Sequence, residues 1–228
     1  RTAVDSEGNC WVANYQTGTL IKIGSNSGTQ TSQDLDHNGL ITDNELLDWV
    51  KDGNVLYEVV LIPGHEGTYT PGKYTGGYAN NWANPGPLAV VLDSNDNLWV
   101  GCYGLEKYFC IDGATGQILK TTDVSSVGHT PYGAVIDHNG IIWSSGGQYK
   151  NVLRLDTKTG SFTRINIPQW AYGLALDSNN HLFVTGYSSS RISRINTLTG
   201  QVEWTKTASY GCRGAVVTED GDVWTANL

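Results

Sequence analysis

The sequence predicts an all-β fold, a β-propeller of four-stranded antiparallel blades, on three observations. A motif recurs about every 40 residues, each repeat reads as short apolar strands separated by turn residues, and no repeat carries an apolar period of 3.6. Five segments align on a marker and an aromatic six residues later: Asp5 and Trp11, Asp93 and Trp99, Asp137 and Trp143, Asp177 and Phe183, Thr218 and Trp224. Twelve residues after the aromatic stands an aliphatic, Ile23, Ile111, Leu155 and Ile195, and five later a glycine, Gly28, Gly116, Gly160 and Gly200.

Each element follows from local chemistry. An Asp/Ser/Asn/Gly cluster turns the first strand into the second, a Tyr- or Gly-containing turn joins the second to the third, and a T-G or S-G pair closes the last hairpin. Four strands in 40 to 44 residues is the arithmetic of a propeller blade. A β-sandwich, the alternative, needs no repeated sequence. The recurring aromatics Trp11, Trp99, Trp143, Phe183 and Trp224 are therefore expected in the core. The chain holds four complete blades and the first two strands of a fifth, and those strands are expected to find partners in residues beyond Leu228 or in another chain.

Composition excludes several function classes. Fourteen basic against 22 acidic residues give a net charge of -8 with no cluster of Lys or Arg, which disfavours binding to a phosphate backbone. No apolar run approaches the roughly 18 to 20 residues of a membrane-spanning helix. The chain begins with Arg1, contains no Met and shows no apolar leader, as expected of a processed or trimmed piece. Its four cysteines lack C-x-x-C spacing, and the acidic, Tyr-, Asn- and Gly-rich composition suits an extracellular or cell-surface protein. Cys102 and Cys110 flank a short turn, either as a disulfide across a hairpin or as two reduced, buried thiols.

The first two markers are 88 residues apart against 44, 40 and 41 for the later ones, so blade one carries insertions. One, over 29–54, contains Asp34-Leu35-Asp36-His37-Asn38-Gly39-Leu40-Ile41-Thr42-Asp43-Asn44-Glu45, which satisfies the D-x-[DN]-x-[DN]-G-x₅-E calcium loop. Ca²⁺ takes six to eight hard oxygen ligands. Asp34, Asp36 and Asn38 offer side-chain oxygens, Leu40 its carbonyl, Thr42 a hydroxyl or a bridging water, and Glu45 both carboxylate oxygens. Gly39 permits the sharp turn, Ile41 is expected to anchor the loop, and Leu46, Leu47, Trp49 and Val50 to continue as a short amphipathic helix. No helix precedes the loop, so the unit resembles a dockerin-like half EF-hand with a structural calcium of the weaker extracellular class, about 10⁻⁴ to 10⁻³ M. The alternative is an acidic surface turn without metal.

The second insertion, 62–87, carries His65, Glu66, Tyr69, Tyr74, Tyr78 and Trp82 among glycines and asparagines, and is expected on the face opposite the calcium loop. The same face should receive Tyr15, Tyr103, Tyr149 and Tyr187 from the turns between second and third strands. His129, Trp170, Tyr172 and Arg213 should join them from the blade entrances. From this rim Tyr15, His65, Trp82, Tyr103, His129, Tyr187 and Arg213 are candidate contacts for a sugar or a partner protein, because planar aromatics give rigid stacking area. Plain packing between blades is the competing reading. For catalysis only His65 and His129 could share the rim with Glu66 and Arg213, since His37 lies in the calcium loop and His138 and His181 lie on the far face.

The string P-x-G-x-x-x-D-x-x-G-x-L-W-V followed by x-I-x-R-I-x-x-x-T-G resembles the blades of streptogramin (virginiamycin B) lyase and NHL-type propellers, across all the repeats but not the insertions. For a lyase the resemblance implies metal-assisted β-elimination with His and Glu at the central funnel, and blades reading W-F-T-E. Here the position of that Glu is held by Asn14, Cys102, Gly146, Gly186 and Asn227, so the acid pattern does not carry over. The reading that follows is a calcium-binding, extracellular or surface propeller serving as a binding or assembly module, with another chain or further copies of itself as partner. A lyase-like enzyme with a divalent ion in the funnel and a carbohydrate-binding propeller are the alternatives.

Overall fold

The marker aspartate explains how each blade starts. In the computed structural model, which describes residues 1–15, 18–25, 31–47, 52–61, 86–187, 189–208 and 210–227, one carboxylate oxygen of each of the four marker aspartates accepts two backbone N–H groups across the first turn. Asp5 Oδ1 takes Glu7 and Asn9 at 3.1 and 2.8 Å, Asp93 Oδ1 takes Asn95 and Asn97 at 2.9 and 3.0 Å, and Asp137 Oδ1 takes Asn139 and Ile141 at 2.9 and 3.0 Å. Asp177 does the same for Asn179 and His181, both at 2.8 Å. The other oxygen accepts the indole N–H of Trp99 at 3.1 Å and of Trp143 at 2.9 Å, which fixes the six-residue spacing.

The last hairpin is closed by Asp112, Asp156 and Asn196, whose side chains accept the N–H groups two and three residues on. Each turn ends in a glycine with positive φ, at 72, 76 and 72° for Gly116, Gly160 and Gly200, a conformation that costs other residues.

Eighteen strands result among the described residues. Blade one is β1 (Thr2–Val4), β2 (Cys10–Asn14), β3 (Thr19–Ile23) and β4 (Val55–Val60). Blade two is β5 (Pro87–Leu92), β6 (Leu98–Cys102), β7 (Lys107–Ile111) and β8 (Ile118–Asp123). Blade three is β9 (Gly133–Ile136), β10 (Ile141–Ser145), β11 (Asn151–Asp156) and β12 (Phe162–Asn166), and blade four is β13 (Ala171–Leu176), β14 (His181–Gly186), β15 (Arg191–Asn196) and β16 (Val202–Thr207). β17 (Gly214–Val217) and β18 (Val223–Ala226) form a two-stranded sheet. Pairing within each sheet is antiparallel and sequential, and the first strands of successive sheets pack side by side. The fold is that of an all-β propeller.

Blade two shows the central strand buried on both faces as an apolar run: all five residues of β6, Leu98 to Cys102, are buried. The cores lie between blades. Trp11, Leu20 and Leu61 meet Leu98, Val100, Cys102 and Ile111; Trp99, Tyr108 and Cys110 meet Ile142, Leu153 and Leu155; Trp143 and Val152 meet Leu182, Val184 and Ile195. Cations cover the aromatics as well. Lys22 lies 5.5 Å from the Trp11 ring, Arg154 5.9 Å from Trp143 and Arg194 5.4 Å from Trp204. In blade two the residue paired with Trp99 is Cys110, and Lys120 of the next strand supplies the cation at 5.9 Å.

One expectation is corrected and one open alternative is decided. Trp224 is 62% exposed where Trp11, Trp99, Trp143 and Phe183 are buried, because β17–β18 has no third strand or following sheet to cover it among the described residues. Cys102 and Cys110 cannot bridge. Cys102 pairs with Lys107 and Cys110 with Trp99, which puts them on opposite faces of the sheet and in different cores, as free buried thiols.

The first insertion leaves from the end of β3 and returns at the start of β4, its neck closed by Gly24 N–H donating to Asn54 O at 2.7 Å. The second begins after Leu61, whose N–H donates to Gly18 O at 3.1 Å, so it departs at the opposite end of β4, beside the turn that carries Tyr15. The chain beyond, 62–85, with His65, Glu66 and Trp82, lies outside the described residues.

Candidate functional site

Two candidate sites stand at opposite ends of the strands, one on the blade-one insertion and one across the later blades. At the first, the carboxylate oxygens of Asp34, Asp36 and Glu45 lie within 4.8 Å of one another. The loop is held in shape by its own backbone. Asp34 accepts N–H from Asn38 at 3.1 Å and Gly39 at 2.8 Å, Asn38 Oδ1 accepts Leu40 N–H at 2.8 Å, and Gly39 turns the chain at φ 85°. Glu45 is buried at the end of a 3₁₀ turn, Asp43–Glu45, and accepts N–H from Thr42 at 3.1 Å, Leu35 at 2.8 Å and Asp36 at 3.1 Å. Foremost the Thr42 bond, and then those from Asp36 and Leu35, hold its carboxyl below the usual glutamate value against the opposing effect of burial.

An all-oxygen set with three carboxylates fits a hard cation, and these residues could hold a metal ion. Of the remaining expected ligands, Asn38 bonds within this cluster, while Leu40 and Thr42 follow on the exposed arm of the loop. Ile41 is 44% exposed and anchors nothing, since the loop is held by polar bonds and not by an apolar face. Leu46 is exposed too, and Trp49 and Val50 of the expected helix fall outside the described residues.

At the other end a chain of tyrosines crosses the blades. Tyr103 meets Tyr132 edge-on with ring centroids 6.2 Å apart, Tyr132 meets Tyr172 at 4.8 Å, and Tyr172 stacks on Tyr187 at 5.2 Å and 23°. The Tyr132 hydroxyl donates to that of Tyr172 at 2.7 Å, and burial followed by this bond pushes the Tyr132 phenol up. Burial likewise raises Tyr15 and Tyr103, so these phenols stay neutral at physiological pH. Arg213 lies 4.8 Å above the Tyr187 ring and donates Nη2–H to its hydroxyl at 3.3 Å, and Arg1 lies 5.0 Å from the Tyr132 ring.

Tyr103, Tyr132, Gly147, Gln148, Tyr172, Tyr187 and Arg213 enclose a cavity of about 350 Å³. Its opening has a sequence cause. Tyr15, Tyr103 and Tyr187 stand four residues after their blade's aromatic, and in blade three that position is Gly147 at φ 59°, where an added Cβ would come within 3.1 Å of Tyr132. Tyr149, expected at the rim, is 46% exposed and not part of the lining. Tyr132 was missed, although a signal exists: it stands five residues before its marker, as Leu88, Tyr172 and Arg213 do, at the start of the innermost strand.

His129 is not at the rim. It is fully buried between blades two and three, with Nδ1 2.7 Å from Asn151 Oδ1 and Nε2 2.9 Å from Ser144 Oγ. The amide nitrogen of Asn151 donates to Gly128 O at 3.1 Å, so Oδ1 faces the imidazole, Nδ1 carries the proton and Nε2 accepts from Ser144. Burial lowers its pKa to about 4, leaving a neutral structural histidine. A larger cavity of about 510 Å³ at the far end of blades two and three is lined by Asp93, Asp137, Trp99 and Lys120, whose polar groups already build turns and cover the indole.

No family model and no curated protein matches the sequence. Solved structures do match in fold. Virginiamycin B lyase from Staphylococcus aureus is 19% identical with a TM-score of 0.66, over 100% of this chain and 62% of the lyase. A streptogramin B lyase is 15% identical at 0.64, over 99% of this chain and 75% of its own. Hydrazine synthase of Kuenenia stuttgartiensis is 15% identical at 0.66, over 98% and 54%. The chain thus spans about 62% of the virginiamycin B lyase it matches. Such distant neighbours establish the propeller fold, and their differing names show how little that fold decides about chemistry.

Proposed function

We propose that the protein is a calcium-binding β-propeller of the cell surface or extracellular space that serves as a binding and assembly module. The observation that carries this reading is the convergence of Asp34, Asp36 and Glu45 oxygens within 4.8 Å around a loop turned by Gly39. An oxygen-only set suits calcium, and a lone loop of this kind falls in the affinity range of about 10⁻⁴ to 10⁻³ M, which is filled where free calcium is high. Another chain or a second copy is the expected partner, supported by the exposed Val216 and Trp224 on β17–β18. The lyase-like alternative has fold likeness alone behind it.

Thermal unfolding and light scattering in calcium and then in EGTA test the reading. At free calcium one hundred times the dissociation constant the fold gains about 2.7 kcal/mol, and Glu45→Gln removes the gain. A melting temperature, protease resistance and molecular mass all indifferent to chelation would sink it.

A further inference from the structure

We propose that the tyrosine cavity is a binding site for a sugar ring carrying a carboxylate, a uronic-acid unit of an acidic glycan. This inference is independent of the ion loop, which leaves from the other end of β4.

The cavity is built for a ring. Tyr132, Tyr172 and Tyr187 form a continuous aromatic wall whose centroids step by 4.8 and 5.2 Å, and about 350 Å³ lies at the small end of the range for ligand sites, roughly 300 to 1,000 Å³. The wall exists as open space because blade three presents Gly147 where a tyrosine stands in three other blades. Polar atoms accompany the rings: the bonded hydroxyls of Tyr132 and Tyr172 and the amide of Gln148 suit a ligand rich in hydroxyls better than a flat hydrocarbon.

Charge selects among sugars. The protein carries 22 acidic residues against 14 basic ones, yet among the described residues no Asp or Glu lines this cavity and the one charged lining residue is Arg213. Among the described residues no carboxylate pairs with that guanidinium. Nη2 is engaged with Tyr187, but Nε is buried without an acceptor. A guanidinium facing a cavity without a carboxylate partner is the group that a ligand carboxylate pairs with best. The Tyr187 ring beneath the guanidinium holds it in place at 4.8 Å.

The test is calorimetric titration of galacturonate and glucuronate oligosaccharides, each beside its uncharged methyl ester, in calcium and again in EGTA. The acid is expected to bind at least tenfold more tightly than its ester, and Arg213→Gln to abolish that difference while the variant melts like the parent. Tyr187→Ala should weaken acid and ester alike by tenfold or more, with Tyr187→Phe retaining most of the affinity. Binding should persist in EGTA even if the ion loop proves empty of function, which separates the two readings. Failure of every acid to bind at millimolar concentration, equal binding of acid and ester, or an Arg213→Gln variant with unchanged preference would overturn the proposal.

Discussion

Lys22→Met is expected to cost about 3 to 5 kcal/mol of folding free energy, read as a lower urea midpoint with unchanged slope. Lys22 Nζ is 2.8 Å from Asp5 Oδ2 with both side chains nearly inaccessible, at 7 and 2% exposure. It also donates to Gly113 O of blade two at 2.6 Å, so one cation ties the two blades together. Burial alone would raise the Asp5 carboxyl; the bonds from Lys22 and Asn9 outweigh it and leave the carboxyl below its usual value. Without Lys22 that carboxylate stays buried with only the Asn9 amide, at 3.1 Å, on the oxygen that faced the cation. The acid limb of the variant should therefore be shallower than the parent's, because without its cation Asp5 no longer gains from staying ionised in the fold. A midpoint within about 0.5 kcal/mol of the parent would show that the pair contributes no more than an exposed one.

The second large effect is a loss of about 3 kcal/mol between pH 6.5 and pH 4, caused by His129. Its folded pKa is lowered from 6.5 to about 4, chiefly because burial penalises the imidazolium, with the Asn151 bond opposing and Arg164 adding to the depression. Above pH 6.5 both states are neutral and His129 adds no pH dependence. As the pH falls, the unfolded chain binds a proton that the folded one refuses, and stability declines by about 1.4 kcal/mol per unit until the folded value is reached. Below it the carboxylates Asp5 and Asp177, both lowered in the fold, take over the acid limb. Denaturant titrations at pH 7 and pH 4.5 check this, with His129→Gln as the non-titrating counterpart that keeps a donor and an acceptor. Equal stability of the parent at both values, or an unchanged slope in the variant, would refute the assignment.

The blade architecture was legible because its signals are local. Asp93 and Trp99 are bonded to each other, so their spacing in sequence is a distance in space. The same holds along the acidic loop, where Asp34 and Asp36 bond to neighbours a few residues away. What failed depends on neighbours the repeat cannot announce. Trp224 has the same place in its hairpin as Trp143, but an aromatic is buried only by the sheet beside it, and 62% of Trp224 is exposed. His129 was placed with the rim from its position before a blade, whereas Ser144 and Asn151 of that blade draw it inside. The cavity turned on Gly147, a missing side chain, in a pattern read for the side chains present.

The hydrogen bond from Gly24 to Asn54 carries a wider meaning. It pinches the inserted loop at its base, as Asp112 N–H to Gln117 O, Asp156 N–H to Ser161 O and Asn196 N–H to Gln201 O close the short corners of the other blades, so the hairpin of β3 and β4 meets the same geometry as they do. The corresponding corners at Thr115-Gly116, Thr159-Gly160 and Thr199-Gly200 are built to the same plan on the same end of their blades. Among the described residues the chain carries an insertion at one of four such corners, and the other three are expected to accept a loop, a tag or a second ion site with the sheets intact.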